Sequence, residues 1–127
     1  MKKTITTSLF LFMLMFSTSV FAQTDDNEKM PAAERAQRLT GWMKTNLNLT
    51  AEQEQQVAPI NLDCATKIDS VRNLKLSKMD KLKEARKIQQ YREAEFAKIL
   101  SAEQMKKYKE EKKEKGQQMK ERRRQNN

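Results

Sequence analysis

The chain has 127 residues, with 26 Lys and Arg against 17 Asp and Glu, no His, one Cys, two Gly and two Pro. That length fits one domain at most. Without His the commonest general base and metal ligand is missing, a lone Cys excludes a CxxC site or an internal disulfide, and two glycines cannot build a phosphate-cradling loop. The composition therefore argues against an enzyme, a resident metal and a cofactor.

The first 22 residues read as a secretory signal peptide. Lys2 and Lys3 give a positive start, Leu9 to Phe16 is continuously apolar, and Ser17-Thr18-Ser19 breaks the run before Val20-Phe21-Ala22. A membrane anchor needs roughly 20 apolar residues, about twice this run. The pattern predicts cleavage after Ala22 and export of the remainder. The 105 residues that remain carry 24 basic and 17 acidic side chains, a net charge of +7. Only 15 of them are Leu, Ile, Val or Phe, a fraction typical of chains that barely fold. Their placement, however, is helical.

Residues 23–30 are polar, acidic and aperiodic, and read as a mobile leader. Pro31 suits a first helical position, and Ala32, Ala36, Leu39, Met43 and Leu47 follow at three- and four-residue steps, predicting a helix over 31–47. Gly41 weakens it slightly and suggests close packing there. Trp42 reads as a packing anchor. Next comes Leu49-Thr50-Ala51-Glu52-Gln53. The Thr50 hydroxyl can accept from the Gln53 N–H while the Gln53 side chain reaches back to the Thr50 N–H, a capping box. Asn48-Leu49-Thr50 also spells a glycosylation sequon, but the cap already accounts for Thr50.

A stripe of Val57, Ile60, Cys64, Ile68, Val71 and Leu74 follows, keeping phase across Pro59, which predicts a kink within a continuing helix. Cys64 on this stripe reads as a buried thiol, with a crosslink between two copies as the alternative. Near residues 73–78 the phase slips and Ser77-Lys78-Met79-Asp80 offers another cap. This predicts a bend, one unbroken helix being the alternative. A third stripe runs Met79, Leu82, Ala85, Ile88, Tyr91, Phe96 and Ile99.

At an offset of 51 residues the start signal returns as Leu100-Ser101-Ala102-Glu103-Gln104. Ser101 caps toward Gln104, Leu100 and Met105 form a hydrophobic staple, and Tyr108 stands where Val57 stands after the first cap. Beyond Tyr108 the apolar pattern stops except for Met119. Residues 109–127 predict a basic solvated helix or a disordered tail, with spacings such as Lys107–Glu111 and Glu111–Lys115 suited to helical ion pairs.

The fold class predicted is all-α, with three to four amphipathic helices over 31–108 in an elongated or hairpin-like arrangement. Twenty-four apolar side chains other than Ala, spread over such helices, make a thin core. Burial gives roughly 1.5–3 kcal/mol per large side chain, against an ordering cost of about 1.5 kcal/mol per residue. Sharing stripes between two copies resolves this, so a helical homodimer is expected.

The paired Leu-Thr/Ser-Ala-Glu-Gln boxes, in an exported Lys/Glu/Gln-rich chain, resemble the LTxxQ motif of the Spy/CpxP-like family of small periplasmic proteins. The resemblance covers about Leu39 to Lys109. It carries over only Leu49, Thr50, Gln53, Leu100, Ser101 and Gln104, as residues that organise helix starts. It implies a cradle-like antiparallel dimer in the periplasm that acts as an ATP-independent chaperone or as a negative regulator of envelope stress sensing. Metal binding by some relatives is not carried over, since this chain has no His.

A chaperone without nucleotide must work by binding alone, using a charged field for fast capture and weak apolar contacts for holding. The candidates are Met43, Met79, Leu82, Met105 and Tyr108 among Lys78, Lys81 and Arg86, with Lys44, Lys75, Lys83 and Lys87 nearby. Stripes at helical spacing are also what a core or a dimer seam requires. The expected partners are unfolded or misfolded envelope proteins, or a stress-sensor domain. The basic tail suggests at most weak contact with anionic lipid. Nucleic acid is not expected, because export and the lack of stacking aromatics argue against it.

Overall fold

The computed structural model describes residues 30–126; the expected signal peptide and most of the expected leader lie outside them. Four helices follow in order, α1 Ala32–Leu47, α2 Ala51–Asn73, α3 Lys78–Ile99 and α4 Ala102–Gln125. Among the described residues there is no strand, so the fold is all-α.

Each start has a local cause. In α1, Pro31 is the cap rather than the first helical residue, with an extended backbone and no side-chain hydrogen bond. Its carbonyl accepts from the Arg35 N–H at 3.1 Å. Both predicted capping boxes are present, Thr50 with Gln53 and Ser101 with Gln104. The predicted cap at Ser77 accepts from the Asp80 N–H at 3.1 Å. It also donates its hydroxyl to Asp80 Oδ2 at 2.6 Å.

The ends are equally specific. Asn48 closes α1 in the left-handed region, at φ 52° and ψ 53°, which Asn tolerates because its short polar side chain bonds locally. Its N–H and that of Leu49 both return to the Lys44 carbonyl. Between α2 and α3 the chain leaves the helix at Leu74 and re-enters after Ser77, so the alternative of one unbroken helix is wrong. At Pro59, by contrast, α2 continues, as the phase of its stripe requires.

Pairing of distant residues makes α1, α2 and α3 successively antiparallel. Arg35, at the start of α1, donates to the Ala65 carbonyl at 3.2 Å and to Asp69 Oδ1 at 2.5 Å, near the end of α2. At the opposite ends Lys44 pairs with Glu54 at 2.8 Å. Gln53, at the start of α2, reaches the carbonyl of Ile99, the last residue of α3. α4 then folds back along α3, Lys112 pairing with Glu93 at 2.6 Å. It also crosses the end of α1, where the Lys115 ammonium stands 3.9 Å from the centre of the Trp42 ring. Thus Lys115 meets an aromatic face instead of pairing along its own helix with Glu111, as the spacing predicts. From Gly116 onward α4 is exposed along its length.

The core gathers where all four helices meet. Met43, Leu47, Leu49, Val57, Phe96, Leu100 and Tyr108 are buried together, with Leu39, Trp42, Ile60, Ile99 and Met105 packed against them. Phe96 and Tyr108 meet edge to face, centroids 5.3 Å apart at 84°, a geometry that sets a ring's positive edge against a negative face. Cys64 is fully buried, which leaves it inaccessible to a second copy and removes the crosslink alternative. Gly41 gives no close approach, because an added Cβ there would meet nothing within 4 Å. Its expected packing role is therefore wrong.

Past the start of α1, α2 and α3 continue as a two-helix arm, from about residue 70 to residue 86, with much thinner burial. Leu74, Leu76, Met79 and Leu82 are exposed on it, as are Leu62 and Tyr91 nearer the junction.

Candidate functional site

Two places concentrate the candidate residues, the helix junction and the arm. At the junction the six motif residues come together. Leu49 and Leu100, each just before a cap, are both buried in the core. Each cap Gln spends its carbonyl oxygen on its own cap: Thr50 N–H donates to Gln53 Oε1 at 3.0 Å and Ser101 N–H to Gln104 Oε1 at 2.9 Å. Each then spends its amide nitrogen across the junction. Gln53 Nε2 donates to the Ile99 carbonyl at 3.1 Å, and Gln104 Nε2 to the Leu47 carbonyl at 3.1 Å. The orphaned carbonyl at the end of each preceding helix is thereby satisfied.

The two amides also meet one another directly, at 2.8 and 3.1 Å. With two donors and two acceptors used on each side, both amides are saturated. The motif residues are thus more than helix starters, because they tie the two halves of the chain together. Capping logic alone, being local, does not foresee this. The available signal is Gln rather than Glu at the third helical position in both copies, since only an amide has N–H groups to give across the gap.

The structure splits the candidate binding residues into two groups. Met43 and Tyr108 are buried core residues, so their assignment to an exposed binding surface is wrong. Their stripes point at the junction, where α1, α3 and α4 converge. Met105 packs against that core and is half-buried. Met79 and Leu82, in contrast, lie on the arm at 62% and 45% exposure, and Lys78 and Arg86 are exposed beside them. Lys81 donates to the Arg72 carbonyl at 2.7 Å, which pins the start of α3 to the end of α2.

Leu74, Leu76 and Tyr91 extend the exposed apolar surface beyond the residues predicted for it. Met79 and Leu82 line a shallow groove of about 480 Å³ with Ile68, Val71 and Ala85, rimmed by Arg72, Lys78 and Lys81. Between Lys67 and Lys87 the chain carries eight basic and three acidic side chains. Lys67 lies over the Tyr91 ring at 4.5 Å; its hydrogen bond with Asp63 holds the ammonium pKa above its ordinary value, so it stays cationic. The chemistry on offer is therefore adaptable apolar contact inside a positive field.

In the core, burial pushes the Tyr108 phenol upward, against the opposing positive charge of Arg92. Among the described residues no group of three His, Cys, Asp or Glu side chains could hold a metal, and no helix is long and apolar enough to cross a membrane. Comparisons with protein-family models, with curated proteins and with solved structures find no match.

Proposed function

We propose that the chain is an exported binding protein that holds unfolded polypeptides without nucleotide, in the manner the LTxxQ resemblance implies. The observation that supports this is the row of exposed apolar side chains on the arm. Leu74, Leu76, Met79 and Leu82 stand out from α2 and α3 among basic side chains. An apolar row of this kind rimmed by charge is what a protein-interaction surface looks like.

The excess of five positive charges between Lys67 and Lys87 suits clients that are acidic and flexible, whose capture a positive field accelerates. Met, Leu and the stems of Lys then supply weak contacts that adapt to many sequences. The Gln53–Gln104 clasp has a supporting role, keeping the arm attached to a rigid junction. The same reading places the working protein in the periplasm as an antiparallel homodimer, with no catalytic step.

The test is suppression of aggregation of an acidic unfolded client. Protection at near-stoichiometric ratio, weakening as salt screens the field, supports the holdase. No protection at any ratio removes it and leaves the alternative, an adaptor that occupies the sensor domain of an envelope stress system. Sedimentation at micromolar concentration reads the dimer separately, and a folded monomer would overturn that part alone.

A further inference from the structure

Behind the arm groove, between α1, α2 and α3, lies a smaller cavity of about 200 Å³ that shares only Ile68 and Arg72 with it. Three guanidinium groups line it, those of Arg35, Arg72 and Arg92, together with Asn61 and the apolar walls Leu39 and Ile68. Two of the polar residues are buried with an unanswered atom. Arg92 is 8% exposed and its Nε–H meets no acceptor. Its Nη1 reaches Gln89 Oε1 at 3.4 Å, which is long for a hydrogen bond, and its guanidinium stands beside the Tyr108 phenol, which carries no counter-charge. None of the ion pairs among the described residues includes Arg92. Asn61 is fully buried and commits its Nδ2 to Thr40 Oγ1 at 3.0 Å and Met43 Sδ at 3.6 Å, leaving Oδ1 without a donor.

Asp69 pairs with Arg35, at 2.5 Å, and with Arg72, at 3.4 Å. The most buried of the three guanidiniums, that of Arg92, is the one Asp69 does not reach. A buried charge with no counter-charge is among the costliest features a fold can carry, as is a buried polar atom with no partner.

We propose that this cavity is a binding site for an oxyanion that keeps a proton at neutral pH, namely hydrogen phosphate. Its charged oxygens answer Arg92 and Arg72, whose planar forks suit phosphate. Its remaining O–H donates to Asn61 Oδ1. A fully ionised sulfate has the charge and lacks that donor, so Asn61 selects between the two. With a water's share of volume at about 30 Å³, the cavity has room for a phosphate and accompanying water. The site stands on its own observations and does not depend on client holding.

The experiment is thermal unfolding of the protein at neutral pH in phosphate, sulfate and chloride at matched ionic strength, with glycerol phosphate as a fourth arm. Phosphate at roughly ten times its dissociation constant should raise the melting temperature by about 5 °C above the sulfate and chloride values. Glycerol phosphate, whose ester is mostly doubly ionised at this pH and so lacks the P–O–H donor, should have a smaller effect, and a match with phosphate would overturn the role given to Asn61. The Arg92 Nε–H resonance, followed by nuclear magnetic resonance, should shift with phosphate and not with chloride. Arg72→Gln, at an exposed position that leaves folding intact, should weaken the phosphate effect several-fold, and Arg92→Met should abolish it. Equal melting temperatures in all salts would overturn the proposal. So would sulfate matching phosphate, or an Arg92 resonance indifferent to phosphate.

Discussion

Gln53 and Gln104, 51 residues apart, hold each other's side-chain amides at 2.8 and 3.1 Å while each caps its own helix. The relationship is close to a local two-fold: each carbonyl accepts from its own cap, and each nitrogen serves the helix end preceding the other cap. The first connection is longer by one residue, and Asn48 takes up the difference in its left-handed conformation.

Coupling between the two glutamines is the first expectation. Replacing either by Ala loses several partly buried hydrogen bonds, for about 2–3 kcal/mol at roughly 1 kcal/mol each. Replacing both should cost less than the sum, by about 1–2 kcal/mol, since the shared bonds are lost only once. Urea unfolding of the four proteins in the cycle measures this. Strict additivity would mean that each amide acts only within its own cap.

Gly41 offers a stabilising change. It sits in the interior of α1, where an added methyl group meets nothing within 4 Å. Gly41→Ala should therefore raise stability by about 0.5–1 kcal/mol through backbone entropy and helix propensity. A rise in the denaturation midpoint at unchanged slope is the expected readout.

Alkaline pH should weaken the fold through Tyr108. Its phenol, buried against Phe96, titrates above the ordinary value of 10.0 because burial disfavours the phenolate. Below pH 10 the folded and unfolded forms are both protonated there, so this group adds no pH dependence. Above it the unfolded chain releases the proton first, and stability falls as pH climbs toward the folded pKa. Tyr108→Phe should flatten this alkaline loss in unfolding curves taken between about pH 9 and pH 11.

Much of the fold was legible in the sequence, because helix caps and stripes are local. Thr50, Ser77 and Ser101 announced three helix starts, and the slipped phase near Asn73 marked the turn. Which stripes face the core was less legible. Met43 and Met79 both occupy helical stripes, yet Met43 is buried at the junction and Met79 stands exposed on the arm. Periodicity defines a face without saying what it meets. The equivalence of Tyr108 with Val57 after the two caps was a sign that Tyr108 belongs inside. The cavity between Arg35, Arg72 and Arg92 had no sequence signature, since those residues come from different helices and share no spacing.

The central claim is that the apolar, basic arm binds unfolded polypeptide, and fluorescence anisotropy of a labelled acidic unfolded peptide tests it most directly. Met79→Ser with Leu82→Ser removes two exposed side chains that the core does not use, so folding should survive. Affinity should drop about tenfold or more, as expected when roughly 1–2 kcal/mol of apolar contact is lost. Unchanged affinity in that folded variant would contradict the account.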